Sequence, residues 1–219
     1  MEIVPDTTSY LALGDSYTIG EGVEAAGRWP MQLAANLRDA GIAIADPRIL
    51  ARTGWTTDEL AAAMDEAEPL GDWDFVSLLI GVNNQYRGRS VDDYRGEFQR
   101  LLRRAIALAG GRADRVLVLS IPDWGVTPFA FASGRDRQAI ADDLDAYNAA
   151  ARECCAAEGV AFVDIIGISR ADAGNAEAAT TMLADDGLHP SALQYARWTD
   201  AALPVARRLL TGGTTASAG

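Results

Sequence analysis

The chain has 219 residues, of which 49% are hydrophobic, and this length suffices for one domain with a full hydrophobic core. Its formal net charge of -12 repels polyanions, which argues against nucleic acids and anionic membrane surfaces as partners. No apolar run approaches the roughly 18 residues of a membrane helix, and residues 1–9 lack the basic and apolar parts of a secretory signal. We therefore expect a cytoplasmic protein without stable membrane association.

Short apolar, β-rich segments alternate along the chain with longer segments of helical period. The predicted strands are Tyr10–Leu13, Ile44–Ala51, Phe75–Ile80, Val116–Ile121 and Val160–Ile165. Strands that alternate with helices form parallel sheets joined by right-handed crossovers, so this order predicts an α/β fold with a parallel sheet. We expect one domain over residues 1–211, followed by a disordered tail at residues 212–219 that has almost nothing to bury.

Local signals predict where helices begin between these strands. Pro30 has the position of a first-turn proline, which the fixed φ angle of proline favours. Thr56 and Glu59 have the spacing of a capping box, and so do Ser90 and Asp93. Each pair therefore predicts a helix that starts directly after its Thr or Ser.

The later helices carry three further expectations. One face of the fourth crossover helix is apolar and should be buried; its residues are Ile140, Leu144, Tyr147, Ala151 and Cys154. Cys154 and Cys155 are expected to be buried apolar residues of a reducing compartment, since neighbours on a helix diverge too far to pair. Pro204 lies inside the last helical segment and predicts a kink or a break there.

Glycines and polar residues follow each predicted strand. The segments after the first four strands read "GDSYTIGEG", "RTGWTTDEL", "GVNNQYRG" and "IPDWGVTPF", and the fifth strand leads on to "DDGLHP". Ligands bind at the carboxyl ends of the strands in open parallel sheets, so these segments should meet at one edge of the sheet. A serine, a histidine, a carboxylate and amide donors are thereby predicted to lie together.

This set of groups suits acyl transfer. Ser16 needs a base to become nucleophilic, and His189 is the only histidine in the chain. Asp186, three residues earlier in the same loop, can fix the tautomer of that imidazole. The backbone N–H groups of Ser16 and Gly54 and the side-chain amide of Asn83 can stabilise an oxyanion, with glycine at position 54 allowing a close backbone approach.

Each of these residues alone also has an ordinary structural interpretation. A serine in such a turn is often a cap, and "DDGLH" by itself is compatible with a helix entry or a metal site. Asp123 in "IPDWG" is a second carboxylate near the same sheet edge and an alternative partner for His189. The occurrence of all the residues together, in order and after predicted strands, favours the catalytic interpretation.

The combined motifs resemble the SGNH hydrolases, also called GDSL esterases and lipases. The four blocks of that family are similar to "GDSYTIG", "RTGWTTDEL", "GVNN" and "DGLHP", which together span Leu11 to Pro190. The resemblance implies a three-layer α/β/α sandwich around five parallel strands, a flavodoxin-like arrangement. It also implies that Ser16 is the nucleophile, His189 the base and Asp186 the third triad member. Gly54 and Asn83 would complete the oxyanion hole, with no metal and no cofactor.

Two features separate the chain from related patterns. The third block of the family usually reads Gly-x-Asn-Asp, whereas this chain has Asn84 in the last place, which bears on loop geometry more than on catalysis. The G-x-S-x-G elbow of the ordinary α/β-hydrolases is absent from the sequence.

The sequence therefore predicts a serine esterase that acts on a small-molecule ester, with short acyl chains favoured. A lysophospholipase, a thioesterase or an acyltransferase would use the same triad, and a binding module without activity would use the same cleft. Aromatic residues on the loops after the strands are expected to form an apolar wall for the substrate: Trp55, Tyr86, Trp124 and Phe129. The sequence does not specify the oligomeric state.

Overall fold

The computed structural model describes residues 7–171 and 174–212. Its strands form one five-stranded sheet in the order β2-β1-β3-β4-β5, in which every neighbouring pair is parallel. The strands are β1 (Tyr10–Gly14), β2 (Arg48–Ala51), β3 (Phe75–Leu79), β4 (Val116–Leu119) and β5 (Ala161–Val163). Because all five strands run the same way, their carboxyl ends lie at one edge of the sheet, as the alternation of strands and helices predicted.

Ten α-helices are described in the same residues. They are α1 (Ser16–Ile19), α2 (Trp29–Asp39), α3 (Thr57–Glu66), α4 (Val82–Tyr86), α5 (Val91–Leu108), α6 (Pro128–Ser133), α7 (Arg137–Glu158), α8 (Ile166–Ala171), α9 (Ala176–Met182) and α10 (Ala192–Thr211). Helix α10 packs on α2, and α5 packs between α3 and α7, so helices cover both faces of the sheet. The predicted α/β/α sandwich is confirmed.

The central strands are buried along their whole length. Every residue of β1, β3 and β4 is buried, which is why these segments are almost continuously apolar instead of alternating. In register, Leu13 of β1 lies between Leu50 of β2 and Leu78 of β3. The main core therefore sits on both sides of the middle of the sheet, and the polar loops are left at its edge.

The second strand differs from its prediction. The predicted segment Ile44–Ala51 divides into a single bridge between Ile44 and Thr8 and the strand β2, which begins only at Arg48. Pro47 precedes that strand and has no N–H to give to a ladder, which explains the interruption. β5 is also shorter than predicted, at Ala161–Val163.

The helix signals are confirmed where the structure tests them. Pro30 lies in the first turn of α2. The carboxylate of Glu59 accepts the backbone N–H of Thr56 at 2.9 Å, immediately before α3. Ser90 accepts the backbone N–H of Asp93 at 3.1 Å at the start of α5. These bonds satisfy N–H groups that the first turn of a helix leaves without partners.

Helix α10 does not break at Pro204, so that part of the prediction is wrong. The helix runs continuously from Ala192 to Thr211 with Pro204 inside it. Pro204 and Asp200, whose carbonyl loses its intrahelical partner, are both exposed, so water can bind that carbonyl. Ala202 and Ala206 on the opposite face are buried and hold the helix in place.

The two cysteines are buried and unpaired, as expected. Burial raises the pKa of the Cys155 thiol to about 12, so it remains a neutral, unreactive group. The apolar face predicted for α7 is buried at all of its residues. In the described part of the chain, no helix combines the length and the apolar character that crossing a membrane requires.

The division into one domain and a tail stays a prediction. Gly212 is the C-terminal cap of α10, and residues 213–219 of the predicted tail lie outside the described residues.

Candidate active site

Ser16 is the first residue of α1, directly after β1. The turn before it needs glycine, because a Cβ at Gly14 would collide with the hydroxyl of Thr18 and the carbonyl oxygen of Leu79. Asp15 caps the helix by accepting the backbone N–H of Tyr17 at 3.1 Å. The turn thus holds the Ser16 side chain at the carboxyl edge of the sheet, where only 4% of the residue is exposed.

His189 and Asp186 form a pair within one loop. Nδ1 of His189 lies 2.6 Å from Oδ2 of Asp186. The other carboxylate oxygen accepts the backbone N–H groups of Leu188 and His189, each at 2.9 Å. Burial would raise the pKa of Asp186, but these hydrogen bonds together hold it below its usual value. The carboxylate is therefore kept ionised and fixes the orientation of the imidazole.

Asn83 lies in α4, which follows β3, and Gly54 lies on the loop after β2. One side-chain N–H of Asn83 donates to the carbonyl of Trp55 at 2.9 Å, which leaves the second N–H for a ligand. The carbonyl of Gly54 accepts a hydrogen bond from Nη2 of Arg87 at 2.7 Å. These two bonds join α4 and the residue after it to the loop after β2, and Gly54 and Asn83 both line one cleft.

The backbone conformation at position 54 also requires glycine. A Cβ built there would meet no protein atom within 4 Å, and the close approach of a substrate to this backbone stays a prediction. Gly54 has a φ of +87°, a left-handed conformation that residues with a Cβ rarely adopt. The requirement is for a sharp turn, and this turn presents the backbone of the loop to the cleft.

One cleft of about 240 Å³ brings the candidate residues together. Ser16, Gly54, Asn83 and His189 all line it. The remaining lining residues are Tyr17, Thr53, Val82, Tyr86, Trp124, Phe129 and Leu188. The segments after separate strands thus meet around one space, with a hydroxyl, an imidazole and amide donors on its walls. Such a set of groups can carry out acyl transfer at Ser16.

Asp123, the alternative partner for His189, is bound elsewhere. Its Oδ1 accepts the backbone N–H of Gly125 at 2.8 Å, and its Oδ2 pairs with Nε of Arg170 at 2.8 Å. The residue is 3% exposed and does not line the cleft that contains Ser16. Asp123 therefore caps a turn and balances a charge, and the carboxylate next to the imidazole is that of Asp186.

Residues 12–197 match the sequence model of the GDSL-like lipase/acylhydrolase family. The chain belongs to the GDSL-like lipase/acylhydrolase family. Membership of this family supports an enzyme that hydrolyses esters. Comparison with curated protein sequences gave no significant match.

Solved structures of similar fold include other lipases and esterases. The structure of TesA superposes with a TM-score of 0.66 at 20% identity, covering 92% of this chain and 99% of TesA. A lipase/acylhydrolase from Enterococcus faecalis gives 0.65 at 20% identity, with 93% and 96% covered. Axe2, an acetylxylan esterase from Geobacillus stearothermophilus, gives 0.67 at 19% identity, with 91% and 94% covered. At these identities, the superpositions establish the shared fold.

Three of the four predicted aromatic residues line the cleft of this GDSL-family chain. Trp124 packs edge to face with Tyr86, at 5.3 Å between ring centroids, and with Phe129, at 6.2 Å. Its Nε1–H donates to Oε1 of Gln85 at 2.9 Å, which fixes the ring. Trp55 is absent from the lining; it packs against the core, and its backbone carbonyl holds Asn83. A contact between the Trp55 side chain and the substrate stays a prediction.

Asp15, the aspartate of the "GDS" block, is fully buried beside Ser16. Desolvation raises the pKa of Asp15 to about 7, although backbone hydrogen bonds, including that from Tyr17, oppose the shift. Oδ2 of Asp15 has no hydrogen-bond partner among the described residues. Its environment is the opposite of that of Asp186, whose charge is stabilised.

Sequence reasoning missed several residues around the cleft. Tyr17 and Leu188 lie next to Ser16 and His189 in the chain, and that proximity was a usable signal. The Tyr17 ring contacts the imidazole of His189 edge-on, at 5.9 Å between centroids. Arg87 had no comparable signal, because its contact with Gly54 spans 33 residues.

Proposed function

We propose that the protein is a serine esterase that cleaves small carboxylic esters through an acyl-enzyme on Ser16. The observation that carries the proposal is the 2.6 Å contact between His189 and Asp186 in a loop whose imidazole lines the same cleft as Ser16. An imidazole held by an ionised carboxylate at Nδ1 has its Nε2 free to act as a base.

In the first half-reaction, Nε2 of His189 takes the hydroxyl proton as Oγ of Ser16 attacks the ester carbonyl. The carbonyl oxygen becomes an oxyanion, which accepts hydrogen bonds from the backbone N–H groups of Ser16 and Gly54 and from the side-chain amide of Asn83. Collapse of the intermediate breaks the ester C–O bond, and His189 gives its proton to the leaving alcohol.

In the second half-reaction, His189 takes a proton from water, which attacks the acyl carbonyl. The bond from the acyl group to Oγ of Ser16 then breaks, and the proton returns to Ser16. Every proton transfer passes through His189, so the reaction balances with side chains of the chain itself and requires no cofactor.

Short acyl groups are the proposed substrates. The cleft volume of about 240 Å³ lies below the ~300–1,000 Å³ that is usual for sites of drug-sized ligands. Tyr86, Trp124 and Phe129 give it an apolar wall that would bind the first methylenes at ~0.8 kcal/mol each and leave further ones in water. Axe2, whose fold is similar, is an acetylxylan esterase, and this agrees with a small acyl group.

The nucleophile is tested with a fluorophosphonate probe and a short p-nitrophenyl ester. Ser16→Ala should lose covalent labelling and lower kcat on the order of 10⁶-fold, as loss of the nucleophile does in another serine hydrolase. Ser133→Ala, an exposed serine at the end of α6, is the matched control and should keep both. Labelling or substantial turnover in Ser16→Ala would refute the assignment.

The substrate class is tested with p-nitrophenyl esters of increasing acyl length, each below its micellar concentration. We expect kcat/KM to peak between roughly two and eight carbons and then fall or level off. A steady rise through twelve or more carbons would reject the small cleft and favour a lipase or a lysophospholipase.

A further inference from the structure

Asn84 stands where the GDSL-family pattern usually has aspartate, and it is fully buried. Its Oδ1 accepts the backbone N–H of Thr57, the first residue of α3, at 3.0 Å. Its Nδ2 donates to the hydroxyl of Thr57 at 2.6 Å. Aspartate could make the first of these bonds but not the second, because an ionised carboxylate has no proton to donate.

These bonds act on the oxyanion side of the site. Asn83 and Asn84 are adjacent, and both reach across to the loop after β2: Asn83 to the carbonyl of Trp55, Asn84 to Thr57. Gly54 precedes these two partners by only a few residues. The spacing between the amide of Asn83 and the backbone of Gly54 is therefore set by the pair of asparagines.

Glu97 of α5 explains why the residue must be neutral. The hydroxyl of Thr57 donates to Oε2 of Glu97. Nδ2 of Asn84 lies 3.4 Å from the same carboxylate oxygen. The protons thus run in one direction, from the Asn84 amide to the Thr57 hydroxyl and on to the Glu97 carboxylate.

An aspartate at position 84 would put a hydrogen-bond acceptor where Asn84 has a donor. Two carboxylates would then compete for the single hydroxyl proton of Thr57 and would repel each other at close range. Arg89 lies 3.7 Å from Oε2 of Glu97 but is already engaged with Asp58 at 2.5 Å. It therefore offsets only part of the added charge.

We propose that Asn84 is a positioning residue whose neutral amide is matched to Glu97 through Thr57. The hydrogen bonds between these three residues align Gly54 and Asn83 for the oxyanion. The inference rests on the proposed function. It assigns to Glu97, which does not line the cleft, a part in choosing the residue at position 84.

The test is a double-mutant cycle of Asn84→Asp and Glu97→Gln, with kcat and KM measured on a short p-nitrophenyl ester. Asn84→Asp should lower kcat about 10- to 100-fold, with KM changed much less, because displaced donors weaken the transition state more than the substrate complex. Glu97→Gln alone should keep nearly full activity, since the oxygen of glutamine still accepts from Thr57.

The double variant is the decisive one. The amide of the introduced glutamine can donate to the hydroxyl of Thr57, and that hydroxyl can donate to the introduced aspartate. The series of hydrogen bonds is then complete again, with every donor and acceptor exchanged. We expect kcat to recover to within roughly fivefold of the wild type, a coupling typical of residues that share one hydrogen-bond network. Asn84→Asp combined with Glu153→Gln should show no recovery, because Glu153 lies on α7 and pairs with Arg95, away from Thr57.

Three results would overturn the inference: wild-type kcat in folded Asn84→Asp, equal losses with and without Glu97→Gln, or recovery with Glu153→Gln as well. If Asn84→Asp does not fold, the double variant decides, because folded and active protein is expected there and an unfolded or inactive one contradicts the pairing. A wild type that neither hydrolyses esters nor reacts with fluorophosphonate would refute the proposed function together with this inference. An active wild type with an uncoupled cycle refutes only the pairing.

Discussion

The two sides of the cleft are built in different ways. His189 and Asp186 are three residues apart and make their contacts within one loop. Asn83 comes from α4 and Gly54 from the loop after β2, and these two segments are joined by bonds between residues 27 to 33 positions apart. The proposed acid–base side is thus encoded locally, whereas the proposed oxyanion side depends on long-range partners. Substitutions should therefore act mainly on the chemistry on the first side and also on loop position on the second.

Between the two sides, the larger effect is expected on the local one. Asp186→Asn should lower kcat by ~10⁴, the size of the corresponding loss in a serine protease, because the amide no longer holds the reactive tautomer of His189. Esterase kinetics together with a melting curve measure this.

Asp123→Asn is the matched control for that loss. It breaks the pair with Arg170, so the melting temperature should fall while kcat of the folded protein stays within about threefold of the wild type. If the larger loss of kcat came from Asp123→Asn, the assignment of the triad acid would be wrong.

A smaller loss is expected on the long-range side. Asn83→Ala removes an amide donor from the oxyanion and should cost roughly 10²–10³ in kcat, with a smaller change in KM. Stopped-flow or steady-state kinetics with a short ester would show the split. A change confined to KM would mean that Asn83 binds the ground state only.

Arg87→Ala separates the effect of moving the Gly54 loop from the effect of losing the amide donor of Asn83. It removes the bond to the carbonyl of Gly54 but leaves every proposed oxyanion donor in the chain. We expect a loss of about tenfold in kcat, within the range that small misplacements produce. A loss as large as that of Asn83→Ala would assign most of the effect to the position of the loop.

The same division explains what the sequence predicted. Parallel strands order the loops along one edge, so the meeting of Ser16, Gly54, Asn83 and His189 followed from the alternation of strands and helices. The spacing of Asp186 and His189 predicted their contact, with Asp123 as the alternative that the structure places elsewhere. These inferences depend on local pattern and on topology, and both can be read from a single chain.

Long-range side-chain pairing was not readable in this way. The contact of the Trp55 carbonyl with Asn83 and the left-handed conformation of Gly54 depend on how the loop folds. The proposed role of Asn84 depends on Thr57 and Glu97, which are distant in sequence. Pro204 fits inside α10 because its face is exposed, which the position of a proline alone does not reveal. The interruption of the second strand at Pro47 could have been predicted from the residue type.

The smallest effect on the chemistry is expected from Asp15→Asn, which acts on stability. It depends on the opposite pKa shifts of Asp15 and Asp186. Hydrogen bonds lower the pKa of Asp186, whereas burial raises the pKa of Asp15 to about 7 from an ordinary value of 3.8. Between pH 3.8 and about pH 7, the folded protein retains a proton on Asp15 that the unfolded protein has released. The contribution of Asp15 to stability is thus fully present below the lower value and is lost as the pH rises through about 7.

Asp15→Asn removes this titration while keeping an oxygen that can accept the backbone N–H of Tyr17. The free energy of unfolding of this variant, relative to the wild type, should rise by about 4 kcal/mol between pH 4 and pH 8, at about 1.36 kcal/mol for each pKa unit. Urea denaturation at several pH values measures the difference, in which titrations common to both proteins cancel. Asp186→Asn supplies the opposite sign in a lower pH window, because a lowered pKa stabilises the fold above the ordinary value of 3.8 and the wild type loses that contribution only as the pH falls below it. A flat difference for Asp15→Asn across this range would show that the buried carboxylate is ionised together with its unfolded counterpart, and would remove the contrast between the two aspartates.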